Sequence, residues 1–251
     1  MKLGAQFYSL RERCKTDEGL KACFAAMKNI GYEVAQMSAI WPRDPYFLKE
    51  CSDEFSMPIT CTHAPLDRIL DDTDNLIRDH KIFDCPVIGL GMMPKEYLES
   101  IEGAREFLKK LEKPIAKIKD AGMRFAYHNH HFEFEDFGGV CIYDVLFEES
   151  PDMNFILDTY WVKHAGRNCT DYVKLLGESG RMTNIHFKDM KDEPKGAICP
   201  CGDGVIDFAP IASLCKEYKI PYALVEQDNA PQLGDEIEQM KSSFEHLKHL
   251  F

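Results

Sequence analysis

The stretch Arg124-Phe-Ala-Tyr-His-Asn-His-His-Phe-Glu-Phe-Glu135 does most to decide how this chain can fold. It begins as an apolar β-type run and ends in His, Asn and Glu, as a buried strand does where it leaves a core. Three later runs change in the same way: Phe155-Ile-Leu-Asp158, Asn184-Ile-His186 and Ala223-Leu-Val-Glu226. Each of them closes on a side chain that can bind a metal ion. If these strand ends meet in space, they form a single polar site.

Short β-type runs recur along the whole chain and alternate with stretches of helical period. The runs are residues 3–8, 33–40, 58–63, 86–90, 124–130, 154–158, 183–187 and 222–227. Between the first two, Leu20, Cys23, Phe24, Met27 and Ile30 form one helical apolar stripe. Strands that alternate with helices predict parallel βα units.

Eight βα units predict an α/β fold, a single TIM (β/α)8 barrel that spans residues 1–251. The alternative is a doubly wound sheet. The barrel is favoured because it gathers the ends of nonadjacent strands around one mouth, whereas an open sheet spreads them along a line. In addition, no Gly-x-Gly-x-x-Gly motif follows the first strand.

Charge and composition exclude several classes of function. The chain has 30 basic and 42 acidic residues, a net charge of −12, which disfavours binding to nucleic-acid backbones. No apolar run reaches the ~18–20 residues of a membrane span, and the N-terminus lacks the apolar block of a signal peptide. We therefore expect a cytoplasmic protein without a membrane partner, whose ten cysteines are buried thiols.

The four strand ends supply three carboxylates and one imidazole, namely Glu133, Asp158, His186 and Glu226. Each of these side chains taken alone is also typical of a helix cap or a loop. Together, at matching ends of four consecutive predicted strands, they predict a site for one divalent ion. Because carboxylates dominate and no thiolate is present, Mn²⁺ is the preferred ion, with Mg²⁺, Co²⁺ and Zn²⁺ as alternatives.

Several motifs resemble those of one protein family over essentially the whole chain. They are Tyr127-His-Asn-His-His-Phe-Glu-Phe134, Leu157-Asp-Thr-Tyr-Trp161, Ile185-His-Phe-Lys-Asp189, Gly202-Asp-Gly-Val-Ile-Asp207 and Val225-Glu-Gln-Asp228. Gln6-Phe-Tyr-Ser-Leu-Arg11 and Thr62-His-Ala-Pro65 also fit. The sequence resembles the sugar phosphate isomerase/epimerase family, the xylose isomerase-like TIM barrels that include inosose dehydratase and tagatose 3-epimerase.

The resemblance implies one divalent metal ion held by a Glu, Asp, His and Glu set. Asp158, His186 and Glu226 match the last three positions. Many members carry the first Glu on the fifth strand, where this chain has His128, so we assign Glu133 as the first ligand and keep His128 or His130 as alternatives.

The resemblance also implies that the two glutamates, Glu133 and Glu226, transfer protons next to a sugar carbonyl. Residues expected to contact the substrate are His63, His128, His130, Trp161 and Lys188. Trp161 is included because aromatic rings stack on the apolar faces of sugars.

The predicted function is metal-dependent isomerisation or epimerisation of a sugar or keto-sugar through an enediolate. The alternative is a lyase or dehydratase that acts on a keto-sugar, keto-glycoside or inosose. A DNA-repair nuclease resembling endonuclease IV is disfavoured by the net charge of −12, and a non-catalytic sugar-binding barrel is a further alternative. The expected partner is a small carbohydrate, and a homo-oligomer is implied because family members are often dimers or tetramers.

Overall fold

The computed structural model describes residues 1–251 and contains ten strands. They are β1 (Lys2–Gln6), β2 (Val34–Ser38), β3 (Ile59–His63), β4 (Val87–Leu90), β5 (Arg124–His128), β6 (Asn154–Asp158), β7 (Met182–Phe187), β8 (Asp189–Met190), β9 (Ile198–Cys199) and β10 (Tyr222–Val225). The short strands β8 and β9 pair antiparallel as a hairpin. The other eight are parallel and close into a barrel in chain order, with β10 paired to both β7 and β1. The predicted TIM-barrel fold is therefore confirmed.

Ten α-helices accompany the strands. They are α1 (Asp17–Ile30), α2 (Pro45–Glu54), α3 (Leu66–Asp71), α4 (Thr73–Ile82), α5 (Ile101–Asp120), α6 (Ile142–Glu149), α7 (Thr159–His164), α8 (Cys169–Ser179), α9 (Phe208–Glu217) and α10 (Glu236–Leu247). None of them is both long and apolar enough for a membrane crossing.

Helix α1 shows how local sequence sets these elements. The Thr16 side chain accepts a hydrogen bond from the Gly19 backbone N–H and so caps the first turn. Gly31 ends the helix with a φ of 123°, a conformation that favours glycine. Between these ends, the predicted stripe is buried against the barrel at Leu20, Cys23, Phe24 and Met27.

Alternation along the strands places one row of side chains inside the barrel. Cys61, Val87, Ala126 and Ile156 form a small apolar cluster of their own, separate from the main core of 65 residues. Two residues beyond Ile156, on the same face of β6, lies Asp158, and His128 follows Ala126 in the same way on β5. The apolar cluster thus fills the barrel interior next to the carboxyl ends of β5 and β6.

The ends of some elements differ from the predictions. Strand β5 stops at His128, two residues earlier than predicted, and Phe132–Phe134 form a turn of 3-10 helix. Strand β1 stops at Gln6 because Phe7–Leu10 also form a 3-10 turn. The β8–β9 hairpin was not predicted, since each of its strands has only two residues.

Candidate metal centre and cavity

Four side chains meet at the carboxyl ends of β5, β6, β7 and β10: His128, Asp158, His186 and Glu226. One donor atom from each lies within 4.8 Å of all the others, and all four residues are buried. His128 Nε2 is 3.3 Å from Asp158 Oδ2, and His186 Nδ1 is 3.0 Å from Glu226 Oε2. The structure therefore brings together three of the four predicted ligands, with His128 as the fourth member.

The two imidazoles are oriented by carbonyl oxygens on their outer sides. His128 Nδ1 lies 3.1 Å from the Gly91 backbone oxygen, and His186 Nε2 lies 2.8 Å from Gln36 Oε1. A neutral ring that donates its N–H to such an oxygen keeps a lone pair on the other nitrogen. Both inner nitrogens, His128 Nε2 and His186 Nδ1, face the centre of the cluster.

The two carboxylates are held in the same manner. Asp158 Oδ1 accepts the Trp161 backbone N–H at 3.0 Å, and Glu226 Oε1 accepts the Gln6 side-chain amide at 2.9 Å. Their remaining oxygens, Asp158 Oδ2 and Glu226 Oε2, point to the two imidazoles. Each of the four residues thus has one anchored atom and one donor atom aimed inward, the arrangement that metal ligands adopt in proteins.

The spacing of these donor atoms suits a single cation. Oxygen–nitrogen distances in the cluster are 3.0, 3.3, 3.8 and 3.9 Å. Ligands bound at ~2.1 Å from one ion lie roughly 3.0–3.4 Å apart when adjacent, so only small movements are required. Two imidazoles and two carboxylates suit Zn²⁺, Co²⁺ or Mn²⁺ better than Mg²⁺, which prefers oxygen ligands.

Neighbouring positive groups hold the two carboxylates of the cluster in their charged form. Burial disfavours charge on Glu226, but the neighbouring Lys188 and His186 outweigh it and hold the pKa of the carboxyl well below its usual range. Burial likewise opposes charge on His186, yet Glu226 and Asp158 raise its pKa to about 9. Without a metal ion, a proton on His186 compensates part of this charge.

The structure does not bring Glu133 to the cluster. Because β5 ends at His128, the following 3-10 turn carries Glu133 into the protein interior, where its exposed fraction is 0%. Its Oε1 accepts the Tyr127 hydroxyl at 2.5 Å, and its Oε2 accepts the His130 backbone N–H at 2.8 Å. The Tyr127 oxygen also accepts the Met93 backbone N–H. Both oxygens of the Glu133 carboxylate are therefore hydrogen-bonded, and through Tyr127 they connect the loop after β5 to the loop after β4.

A cavity of about 420 Å³ opens directly above the cluster. Its lining residues are Tyr8, His63, Ala64, Leu66, Leu90, Gly91, Met92, His128, His130, Lys188, Glu226 and Asp228. Among the residues expected to contact substrate, only Trp161 is absent from this lining. Its ring centroid lies 5.0 Å from that of His130 and 4.9 Å from Lys188 Nζ, so Trp161 packs against two residues of the cavity lining.

Sequence reasoning missed three polar residues of this region. Asp228 lines the cavity and accepts a hydrogen bond from Lys188 Nζ at 2.7 Å. Gln6 and Gln36 are completely buried and orient Glu226 and His186. A glutamine within an apolar strand run was the available signal, because a buried amide requires a hydrogen-bond partner.

The chain belongs to the xylose isomerase-like TIM barrel family, whose model matches residues 24–250. This match covers nearly the whole barrel and all four residues of the cluster. No curated protein matches the sequence.

Solved structures share the fold at low sequence identity. A sugar phosphate isomerase/epimerase from Parabacteroides distasonis is 19% identical with a TM-score of 0.81, over 99% of this chain and 98% of that one. The probable 3-DHS dehydratase AsbF from Bacillus anthracis is 13% identical with a TM-score of 0.76, over 99% of both chains. The IolI protein, solved with a bound zinc atom, is 14% identical with a TM-score of 0.70, over 100% of this chain and 98% of that one.

Proposed function

We propose that this chain catalyses the metal-dependent isomerisation or epimerisation of a small sugar or keto-sugar. One observation carries the proposal: His128 and Glu226 belong both to the four-residue cluster and to the lining of the cavity. A substrate in the cavity thus meets the cluster directly. Membership of the family and the likeness to a sugar phosphate isomerase/epimerase support the same class of reaction.

His128, Asp158, His186 and Glu226 are the proposed ligands, with His128 in the position first assigned to Glu133. A divalent ion held there supplies Lewis acidity, which makes a proton next to a sugar carbonyl easier to remove. The donor set favours Zn²⁺, Co²⁺ or Mn²⁺ over Mg²⁺, so Mn²⁺ no longer stands alone as the preferred ion, as it did from the sequence.

Glu226 is the proposed base because it lines the cavity while Gln6 fixes its outer oxygen. Glu133 lies outside the cavity, so we transfer its proposed second proton-transfer role to Asp228, the other carboxylate of the lining. Lys188 Nζ lies between the two, 3.6 Å from Glu226 Oε2 and 2.7 Å from Asp228 Oδ2, and holds both in place.

His63 and His130 are the proposed contacts for substrate oxygens. Both line the cavity, and His63 Nε2 and His130 Nδ1 have no hydrogen-bond partner within the protein. Burial, reinforced by the nearby His128, lowers the pKa of His63 well below its ordinary value and that of His130 to about 2. Both rings are therefore neutral at physiological pH and can donate or accept a hydrogen bond.

The test is exchange of substrate hydrogen with D₂O by the metal-loaded protein over a panel of ketoses and keto-glycosides. We expect exchange at the carbon next to the carbonyl, and a loss of at least about 100-fold in Glu226→Gln. Glu135→Gln, at an exposed carboxylate, is the matched control and should exchange at the normal rate. Absence of exchange with every sugar in the panel would contradict the proposal.

A lyase acting at the same site is the second candidate, and one observation favours it. The probable 3-DHS dehydratase AsbF shares this fold with a TM-score of 0.76, and Glu226 in the cavity lining is available as the base of an elimination. Elimination requires one base and a proton donor for the leaving group, whereas epimerisation requires proton transfer on both faces. Mass spectrometry separates the two reactions: elimination lowers the mass of the sugar, and isomerisation leaves it unchanged.

A further inference from the structure

The cavity above the cluster has two chemically different walls. The polar wall consists of His63, His128, His130, Lys188, Glu226 and Asp228. The apolar wall comes from the end of β4 and from the segments that follow β3 and β4, and consists of Ala64, Leu66, Leu90 and Met92. A substrate that fills the cavity therefore meets both ionisable groups and hydrocarbon.

The polar wall has no cationic side chain free to bind a phosphate. Lys188 is the only lysine or arginine of the lining, and its ammonium is already bonded to Asp228 at 2.7 Å. The same ammonium lies 3.6 Å from Glu226 and 3.8 Å from Asp158. Arg11 stacks on the Tyr8 ring at 4.2 Å but does not line the cavity.

A phosphate group carries roughly −1.5 to −2 charges at neutral pH and is normally bound by arginine, lysine or backbone N–H donors. In this cavity it would instead lie near Asp228, whose carboxylate already uses the one available ammonium. The charge pattern thus disfavours a phosphorylated sugar.

The apolar wall offers a place for a hydrocarbon substituent. The Met92 side chain is 41% exposed, one of few large apolar side chains that this protein leaves accessible. Leu66 on the same wall is half-buried. Covering such a surface with an apolar group removes it from water, which favours binding. A cavity of about 420 Å³ also has room for more than a single sugar ring.

We propose that the preferred substrate is an uncharged sugar ketone that bears an apolar substituent, with Leu66 and Met92 as the residues that determine this specificity. The sugar carbonyl faces the cluster, and the substituent lies on the apolar wall. This inference rests on the proposed function, because it assumes that the cavity binds a sugar ketone.

Two matched sets of probes test the inference by calorimetric binding and by D₂O exchange. The first set is fructose, fructose 6-phosphate and 6-O-benzyl-fructose, which differ at one position. The second is the methyl and phenyl glycosides of 3-keto-glucose. We expect the aromatic member of at least one set to bind at least about tenfold more tightly than its small counterpart, and the phosphate to bind no better than fructose.

Leu66→Ser and Met92→Ser should each reduce the ratio of aromatic-probe affinity to small-probe affinity by at least about threefold. Tyr46→Ser removes the most exposed large apolar side chain, which lies outside the cavity, and should leave this ratio unchanged. Tighter binding of the phosphate, or an aromatic advantage that survives in both serine variants, would overturn the inference. D₂O exchange tests the proposed function independently of this specificity. Exchange with any probe supports the function, and exchange with none of them contradicts it.

Discussion

At the scale of single residues, His128 is the feature that most distinguishes the cluster from the set first assigned. Its Nε2 faces Asp158 Oδ2 at 3.3 Å, so the donor set has two imidazoles instead of one. Nitrogen ligands favour later transition metals such as Zn²⁺, whereas carboxylates suit Mn²⁺ and Mg²⁺. We therefore expect the side chain at position 128 to influence which metal ion is preferred.

We predict that His128→Glu lowers the ratio of Zn²⁺ to Mn²⁺ affinity by at least about tenfold, because an oxygen replaces a nitrogen ligand. Competitive titration of the metal-free protein with both ions measures the ratio. His164→Glu, at a histidine outside the cluster, is the matched control and should retain the original ratio. An unchanged ratio in His128→Glu would mean that residue 128 does not bind the ion.

We predict that metal binding depends on pH through His186. Its pKa is raised to about 9 in the metal-free protein, so the imidazole is protonated at neutral pH and must lose that proton to bind a metal ion. Apparent affinity should therefore rise by up to about tenfold per pH unit between pH 6 and 8.5, and level off above pH 9. Calorimetry at pH 7.5 in two buffers of different ionisation enthalpy should detect about one proton released per ion. Binding without proton release would contradict this assignment.

At the scale of elements, the ends of strands decided which residues could be assigned from sequence. Asp158, His186 and Glu226 lie at or next to the end of an uninterrupted strand, so apolar periodicity was enough to place them. Glu133 lies in the 3-10 turn after β5, and its position depends on hydrogen bonds with Tyr127 and His130. The periodicity of apolar residues carries no information about such hydrogen bonds. Pro114 marks a similar limit, because a proline inside a helix usually kinks or breaks it, yet α5 runs through Pro114 as one helix.

Strand β4 approaches β3 closely enough that Gly89 has no room for a side chain. A Cβ at this position would lie 2.2 Å from the Thr62 backbone oxygen. We predict that Gly89→Ala lowers the free energy of unfolding by about 1–3 kcal/mol, because the two strands must move apart. Gly91→Ala meets only the His63 side chain, at 3.0 Å, and should cost less. Urea unfolding of both variants tests this order, and a Gly89→Ala protein as stable as the original would contradict it.

At the scale of the whole molecule, closure of the barrel makes one site from residues that are far apart in sequence. His128 ends β5 and Glu226 directly follows β10, and β6 and β7 lie between these two strands in the barrel, yet the donor atoms are 3.9 Å apart. The alternation of eight strands with helices predicted this closure, and hence the meeting of the strand ends. The two walls of the cavity were beyond prediction, because they depend on how the loops after β3 and β4 pack.

Metal titration of the purified protein and four variants, followed by calorimetry and elemental analysis, tests whether these residues form a metal centre. We predict one Zn²⁺ per chain in the original protein, and at least about 100-fold weaker binding in His128→Ala, His186→Ala and Glu226→Ala. Glu133→Gln should bind one ion with affinity within about tenfold of the original, since Glu133 lies outside the cluster. Full affinity in His128→Ala together with lost binding in Glu133→Gln would contradict the proposed centre.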